Sequence, residues 1–232
     1  MNAGTATPSA PVSAIIPAYR AQATIARAIE SVAGQALRPF ELIVVDDASD
    51  DSTAAQVRSL AQHYETDWLK LLVMPSNSGA ASARNAGWAE ARGEFVAFLD
   101  ADDAWHPYKI ALQYGYLRSH PEVDLCGHGF AYQRAATPPT NEDLPLRARR
   151  IGKTRMLLKN PFVTPSVMLR CNLPWRFQPG KRHMEDHLLW MEIVLAGRTV
   201  TRLDAPLAYL GKAQFGESGL SDGTGLSATA LA

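Results

Sequence analysis

The first half of the chain alternates short apolar runs, typical of buried strands, with longer amphipathic runs whose apolar residues recur at helical spacing. Predicted strands cover residues 12–17, 40–45, 68–74 and 95–99, and predicted helices cover residues 21–35, 52–64, 78–91 and 108–118. Strands that alternate with helices in this way are joined by right-handed crossovers, which place helices on both faces of a sheet. The pattern therefore predicts an α/β fold with a mostly parallel central sheet flanked by helices.

The alternation ends in the second half of the chain. The sequence there predicts strands at 123–132 and 162–169, a loop at 135–145, a helix at 185–196 and short strands at 199–203 and 207–210. We interpret residues 12–210 as one domain, with a nucleotide-binding first half (12–105) and a differently built second half (106–210). Residues 1–11 are expected to be a disordered N-terminus. The Gly-rich residues 211–232 are expected to be a flexible loop and tail, and both a lid and a frayed end remain open for them.

Composition narrows the class of protein. The 232 residues carry a formal net charge of zero, so no overall field attracts the chain to nucleic acid. Only two cysteines are present, and the first residues lack the features of a signal peptide. No apolar run approaches the ~20 residues that a membrane helix requires. These features predict a cytoplasmic protein with no nucleic-acid partner and no transmembrane segment, peripheral at most at the inner face of the membrane.

Two acidic windows directly follow predicted strands. Seven of the 23 acidic residues of the chain lie within residues 46–51 and 100–103. In open α/β sheets ligands bind at the carboxyl ends of the strands, and carboxylates crowded there repel one another unless a cation lies between them. The windows therefore predict a metal-assisted site for a phosphorylated ligand.

Each window also has a purely structural explanation. The turn that contains Asp46 and Asp47 could use its Asp and Ser side chains to cap the following helix. Asp100 and Asp102 form a D-x-D arrangement, in which two carboxylates reach one Mn²⁺ or Mg²⁺ ion and phosphate oxygens complete its coordination. The alternative for this second window is an acidic loop that caps the next helix.

Residues 78–83 have side chains no larger than that of serine, and Arg84 follows them. Small residues allow a ligand or the sheet to approach closely, and the N-terminus of a helix favours anions. Arg84 would add a fixed positive charge facing the ligand. An Ala-rich helix packed tightly on the sheet explains the same residues, and the two explanations are compatible.

A basic run in the second half has two interpretations. It consists of Arg147, Arg149, Arg150, Lys153 and Arg155. The simpler interpretation is a solvated surface. The other is contact with a phosphate-bearing acceptor, such as a lipid-linked oligosaccharide at a membrane surface.

Several motifs occur in an order and spacing that resemble the family 2 glycosyltransferases with the GT-A fold. They are S-A-I-I-P-A-Y from Ser13, V-V-D-D-A-S-D-D-S-T from Val44, N-S-G-A-A-S-A-R-N-A-G from Asn77 and F-L-D-A-D-D from Phe98. A further motif, E-D-H-L-L-W from Glu185, is similar to the E-D-x-x-L-W motif in which that family places a catalytic carboxylate. The resemblance covers most of the chain.

The resemblance implies a role for each matching position. Asp186 is implied to be the catalytic base, and Asp100 and Asp102 are implied to hold Mn²⁺ or Mg²⁺ on the diphosphate of the donor. The positions implied to bind the donor nucleotide are Pro17, Ala18, Tyr19, Asp46, Asp47, Arg84, Asp100 and Ala101. Glu185 is implied to be a supporting residue. Lys212 is a second supporting candidate, because it follows Leu210 and Gly211 where many relatives have a histidine.

Together these matches imply an inverting, metal-dependent glycosyltransferase. It would transfer a single sugar from a nucleoside-diphosphate sugar to a hydroxyl of a glycan or lipid-linked acceptor, in surface polysaccharide or glycoconjugate biosynthesis. Single addition is inferred because the Q-x-x-R-W motif and membrane helices of the processive synthases are missing from the sequence. Asp186 lies in the first turn of a predicted helix and near the basic residues 181–183, so its ionised form is expected to be stabilised.

Two other classes of protein remain open. A non-catalytic nucleotide-sugar-binding module would bind the donor without turning it over. A phospho-acceptor receiver domain also gathers aspartates at strand ends. Receivers place the acidic pair after the first strand, however, whereas the first predicted strand here ends in Pro17, Ala18 and Tyr19.

Overall fold

Strands and helices alternate regularly up to residue 98 and less regularly afterwards. The computed structural model describes residues 9–132, 147–180 and 184–211. In these ranges the strands are β1 (Ser9–Ala18), β2 (Arg38–Asp46), β3 (Leu69–Val73), β4 (Phe95–Phe98), β5 (Ala104–Trp105), β6 (Val123–Tyr132), β7 (Ala148–Arg150), β8 (Met168–Arg170) and β9 (Thr199–Leu210). The helices are α1 (Ile25–Ala33), α2 (Thr53–Ala61), α3 (Ala80–Ala89), α4 (Lys109–Ser119), α5 (Lys153–Leu158) and α6 (Glu185–Leu195), with a 3₁₀ turn at Thr164–Ser166.

The strands form one mixed sheet. Within the described residues its order is β3-β2-β1-β4-β8-β6-β9-β5, and β7 pairs with β9 beside this path. The neighbours among β1, β2, β3 and β4 are parallel, as predicted. β8 is antiparallel to both β4 and β6, whereas β6 and β9 are parallel. The predicted α/β class is confirmed, and the continuous parallel part of the sheet belongs to the first half of the chain.

The strand register places both acidic windows at one edge of the sheet. Ala18 at the end of β1 pairs with Asp46 at the end of β2, and Ile15 pairs with Phe98 at the end of β4. The backbone N–H of Leu99 then donates to the carbonyl oxygen of Ile15 at 3.0 Å. Both windows therefore leave the sheet where parallel strands end, which is where α/β sheets bind ligands.

Alternate residues of β1 enter two different cores, because successive side chains of a strand point to opposite faces. Ile16 belongs to the core that includes the buried residues of α1. Ile15 belongs to the other core, which also contains Trp88 of α3 and Trp190 of α6. This second core holds α6, from the second half of the chain, close to α3 from the first half.

β5, β7 and α5 have no counterpart in the sequence prediction, and three predicted segments differ in the structure. β1 begins at Ser9, which pairs with Arg38, so residues 9–11 are strand rather than part of a disordered N-terminus. The predicted strand at 162–169 is a 3₁₀ turn followed by β8, because Pro165 lacks an N–H and favours a turn. The two predicted short strands near the end are one continuous strand, β9, whose irregular register opposite Gly129 accommodates the extra residues.

Other expectations lie outside the described residues. These are the loop at 135–145, the first eight residues and the tail that begins at Lys212. Among the residues that the structure describes, no helix has the length and apolar character required to cross a bilayer.

Gly87→Ala is expected to destabilise the fold by about 1–3 kcal/mol. A Cβ atom at Gly87 would lie 2.6 Å from Ile15 Cγ2 and 3.0 Å from Val45 Cγ2, because α3 packs tightly on β1 and β2. Gly115 in α4 is a matched control, since no described atom lies within 4 Å of a Cβ there. Gly115→Ala is expected to stabilise the protein by about 0.5–1 kcal/mol. Urea denaturation followed by circular dichroism measures both, and destabilisation of the same size in the two variants would contradict this account of α3.

Candidate active site

The buried Asp47 at the end of β2 fixes the start of α3. Its two carboxylate oxygens accept hydrogen bonds from the backbone N–H groups of Ser78 and Gly79, each at 2.8 Å. Gly79 is the N-cap of α3 and has a φ of 86°, a conformation that favours glycine and provides no capping side chain. Asp47 supplies the missing acceptor from a different strand.

The two carboxylate oxygens of the neighbouring Asp46 have different surroundings. Its Oδ2 accepts a hydrogen bond from the N–H of Ser49 at 3.3 Å. Its Oδ1 is buried and has no hydrogen-bond partner among the described residues. A buried acceptor without a partner costs about 1–3 kcal/mol, and such an atom in a native fold needs an explanation. A bound ligand at this strand end would provide the missing donor.

The later aspartates of the first window have structural roles. Asp50 forms an exposed ion pair with Arg20 at 2.6 Å. Asp51 accepts a hydrogen bond at 2.9 Å from the N–H of Thr53, the first residue of α2. The capping explanation of this window therefore describes Asp51, while Asp46 and Asp47 point into the fold.

The end of β1 lies beside the acidic pair. Pro17 and Ala18 are buried, and the carbonyl oxygen of Ala18 accepts a hydrogen bond from the N–H of Asp47 at 2.8 Å. Tyr19 is 46% exposed, and the Arg20 guanidinium lies 5.3 Å from the centre of its ring. The edge of the site thus offers one accessible aromatic ring next to Asp46.

Arg84 connects the two halves of the chain at the site. Its guanidinium donates to Asp100 Oδ1 at 2.7 Å and to Glu185 Oε1 at 3.1 Å. Burial opposes the charge of Arg84, but the surrounding carboxylates, chiefly Asp100, raise the pKa of the guanidinium above its usual value. The side chain is buried and holds two carboxylates together, and the expected position of Arg84 facing a ligand stays a prediction. Its Nε atom is the part of the guanidinium without a partner among the described residues.

Asp186 contacts two residues that the sequence analysis did not single out. Its Oδ2 lies 3.3 Å from Thr164 Oγ1 and 3.4 Å from Asn160 Nδ2, both of which donate. Its Oδ1 accepts a hydrogen bond from the N–H of His187 at 2.6 Å. Asn160 and Thr164 each precede a proline, and such dipeptides mark turns. That signal indicates a loop but not which carboxylate the loop would reach.

Opposing effects act on the pKa of Asp186. Burial raises the pKa of Asp186, although the N–H of His187 and the charge of Arg84 both oppose this shift. The predicted stabilisation of the ionised form at the start of the helix is present as the hydrogen bond from the N–H of His187, but the loss of solvation outweighs it, so the net shift of the pKa is upward. The basic residues 181–183 lie outside the described residues. A raised pKa brings a carboxylate closer to the pH at which a general base is most effective.

The second acidic window crowds its carboxylates. Asp103 is buried and accepts a hydrogen bond from the N–H of Gly211 at 2.8 Å. Burial and the negative charge of Asp100 raise the pKa of Asp103 to about 8. The carbonyl oxygen of Asp102 accepts a hydrogen bond from Arg27. Ala101, between the two predicted metal ligands, is partly buried against the core that contains Ile16.

This donor set fits a metal ion that binds together with its ligand. Within the described ranges, no group of three or more His, Cys, Asp or Glu side chains is arranged to hold a metal by itself. Mg²⁺ is usually bound by one or two carboxylates and by substrate phosphates rather than by a cage of protein groups, and Mn²⁺ also prefers oxygen ligands. Asp100 and Asp102 would be those carboxylates, with a diphosphate supplying further oxygens. Lys212, the other predicted cation of the site, lies outside the described residues.

The sequence model of Glycosyl transferase family 2 matches residues 13–172. This chain belongs to that family. The matched range includes both acidic windows, Arg84 and Thr164, and it ends before Glu185 and Asp186. The role of every site residue, inside or outside this range, remains a prediction.

Two curated relatives show what kinds of protein this family 2 chain is similar to. Escherichia coli WfgD, described as UDP-Glc:alpha-D-GlcNAc-diphosphoundecaprenol beta-1,3-glucosyltransferase, is 31% identical over 195 residues, which cover 79% of this chain and 69% of WfgD. Bacillus subtilis (strain 168) TuaG, a putative teichuronic acid biosynthesis glycosyltransferase, is 31% identical over 202 residues, which cover 85% of this chain and 77% of TuaG.

Solved structures confirm the predicted GT-A-type fold. S. aureus TarS 1–349 in complex with UDP-GlcNAc superposes with a TM-score of 0.71 at 25% identity, covering 89% of this chain and 59% of that one. The mannosyltransferase PcManGT from Pyrobaculum calidifontis, in complex with GDP-Man and Mn²⁺, has a TM-score of 0.65 at 20% identity, covering 88% and 58%. This family 2 chain therefore spans about three fifths of the length of either structure.

Proposed function

We propose that this family 2 glycosyltransferase transfers a single sugar from a nucleoside-diphosphate sugar to a hydroxyl of a glycan or lipid-linked acceptor. The transfer inverts the anomeric carbon, uses Mn²⁺ or Mg²⁺ and serves surface polysaccharide or glycoconjugate biosynthesis. One observation carries the proposal: Arg84 contacts both Asp100 and Glu185, although Glu185 is 101 positions away in the sequence. The donor-side acidic window and the acidic pair at the start of α6 thus meet in one place.

The donor end of the site has groups suited to a nucleoside. Asp46 has a buried oxygen that lacks a donor, and a base N–H or a ribose hydroxyl would supply one. The exposed ring of Tyr19 provides a surface on which a nucleobase can pack. The name of WfgD, which includes UDP-Glc, and the complex of TarS with UDP-GlcNAc support a uridine diphosphate sugar as the first donor to test.

The acceptor end has a suitable base. Asp186 accepts the proton of the acceptor hydroxyl while the hydroxyl oxygen bonds to the anomeric carbon and the bond from that carbon to the diphosphate breaks. Attack from the face opposite the leaving group inverts the carbon, as in an inverting glycosidase whose water is replaced by the acceptor. Thr164 and Asn160 hold the carboxylate in position. Asp100 and Asp102 would hold the metal ion, which supplies positive charge to the departing diphosphate.

Asp102→Ala is expected to weaken the metal-dependent binding of UDP. Loss of a direct ligand should cost at least the roughly 10- to 100-fold that loss of an outer-shell group costs. Isothermal titration calorimetry with UDP, in Mn²⁺ and then in EDTA, measures the effect. Glu122→Ala is the matched control, because Glu122 is exposed and lies far from the site. Glu122 directly precedes β6, which runs in the same direction as β4, so it lies at the edge of the sheet opposite the acidic windows. Equal affinities for UDP in the wild type and Asp102→Ala would contradict the metal assignment.

Turnover distinguishes this proposal from the non-catalytic binding module. A thermal-shift screen of nucleoside diphosphates and their sugars with Mn²⁺ would identify the donor class, and release of the nucleoside diphosphate from the preferred donor would then be followed. A protein that binds the donor but releases no nucleoside diphosphate, with acceptors or with water, would be a binding module.

A further inference from the structure

A basic segment beside the candidate base takes no part in the chemistry proposed above. Residues 147–159, which we name the basic segment, contain six basic side chains and no acidic one, in a chain whose formal net charge is zero. All six are exposed on β7, on α5 and on the residues next to them. They are Arg147, Arg149, Arg150, Lys153, Arg155 and Lys159.

Most of this charge has no ion-pair partner among the residues that the structure describes. Among the described residues, the ion pair of the segment is that of Arg149 with Asp204 at 2.7 Å, and Asp204 also lies 3.4 Å from Arg202. Arg149, Arg150, Arg155 and Arg202 line a cavity of about 80 Å³. Burial lowers the pKa of Arg202, Asp204 opposes that shift, and the charges of Arg149 and Arg155 add to it. The cavity is therefore a concentration of positive charge with one carboxylate beside it.

Two leucines stand in the same segment with their side chains in solvent. Leu157 is 58% exposed and Leu158 is 82% exposed, whereas the preceding Met156 is buried in the core. α5 is thus attached to the protein through Met156 and presents consecutive leucines outward. Single exposed leucines are common, but an apolar pair flanked by many cations is typical of segments that lie in the interface of a membrane.

The structure fixes this segment next to the candidate base. The ring Nε2 of His187 lies 2.7 Å from the carbonyl oxygen of Met156, which joins α5 to α6 directly after Asp186. Asn160, just beyond the end of α5, donates to Asp186 itself. Any surface bound by the basic segment would therefore lie close to Asp186.

We propose that the basic segment binds the surface of an anionic phospholipid membrane. The basic side chains contact lipid phosphates, and Leu157 and Leu158 enter the interface. Charge complementarity selects an anionic partner, and the leucine pair selects a lipid surface over a soluble polyanion, which would leave both leucines in water. One consequence rests on the proposed function: Asp186 would be held where a lipid-linked acceptor presents its hydroxyl.

Co-sedimentation of the full chain with vesicles tests the proposal without any enzymatic activity. The protein is expected to sediment with vesicles of phosphatidylcholine and phosphatidylglycerol and not with phosphatidylcholine alone, and added salt should weaken the binding. Arg150→Gln/Arg155→Gln should reduce partitioning about 25-fold, since each basic residue near an anionic surface contributes about fivefold. Leu158→Ser, at the most exposed position, should reduce it by about fivefold without affecting the fold.

Matched variants elsewhere on the surface provide the controls. Arg58→Gln/Arg118→Gln removes two exposed cations from α2 and α4, and Leu195→Ser changes a leucine that is 49% exposed at the end of α6. Both controls should bind vesicles as the wild type does. Three outcomes would each overturn the proposal. They are equal binding to both kinds of vesicle, equal losses of binding in test and control variants, and binding of an RNA homopolymer without binding of vesicles. If the chain binds vesicles as expected but does not turn over a donor, the membrane-binding surface is supported and only the proposed function is rejected.

Discussion

Asp186→Asn is expected to lower the rate of sugar transfer by about 10²- to 10⁴-fold while leaving the affinity for the nucleotide donor unchanged. The amide has nearly the shape of the carboxylate but cannot accept the proton of the acceptor hydroxyl. In the proposed function, donor binding depends on the acidic window that contains Asp100, which the substitution leaves intact. Steady-state kinetics with the identified donor, together with calorimetry of UDP binding, separates the two effects.

The pH dependence of transfer provides a second measure of the same residue. Because burial raises the pKa of Asp186, its proton is released at a higher pH than that of an exposed aspartate. The base form is therefore lost earlier as the pH falls, and kcat/KM should decline on an acidic limb above the usual range for aspartate. Thr164→Val removes a hydrogen bond that lowers the pKa of Asp186, so it should move this limb to still higher pH. Full transfer activity in Asp186→Asn would remove the residue from the role of base.

Arg84→Met is expected to destabilise the fold by about 3 kcal/mol and to abolish efficient transfer. The substitution leaves Asp100 and Glu185 close together without the cation that holds them. Removing one partner of a buried pair costs about 3–5 kcal/mol, and the lower end applies because the Asp100 side chain is 31% exposed. Urea denaturation without metal measures the loss of stability.

Two further variants test the geometry of this pair. Arg84→Lys keeps the charge but lacks the planar fork that contacts both carboxylates, so it should recover part of the stability and little of the activity. The double variant Arg84→Met/Glu185→Gln should lose less free energy of unfolding than the sum of the losses in the two single variants, with a coupling energy of about 0.5–3 kcal/mol. Additive effects would mean that the contact between Arg84 and Glu185 contributes nothing to the fold.

The donor-side half could be predicted from the sequence because its signals are local. Each strand there is a continuous apolar run, and parallel strands bring their carboxyl ends to one edge, so the meeting of Asp46 with Ala18 follows from the pattern. The pattern could not predict that Asp47 would accept hydrogen bonds from the start of α3. That role depends on Gly79, whose missing side chain leaves the start of the helix to be capped from another strand.

The acceptor-side half could be predicted only in part because its contacts are distant in sequence. The contact of Arg84 with Glu185 requires the packing of α3 and α6 in a common core, which no local periodicity encodes. Thr164 contacts Asp186 from a 3₁₀ turn. The run of apolar residues around this turn had predicted a strand instead. The upward shift in the pKa of Asp186 could not be predicted, because a sequence indicates charged neighbours but not the depth of burial.

The position of β8 restricts how chimeras of this enzyme can be made. β8 lies between β4 and β6 and is antiparallel to both, so a strand from the second half completes the sheet of the first half. Chimeras of two relatives could be joined after residue 105 to exchange acceptor preference. Such a chimera would replace β8, which is the neighbour of β4, and Glu185, which Arg84 contacts on α6. Exchanges limited to surface segments that leave β8 and Glu185 in place should give folded hybrids far more often than an exchange of whole halves.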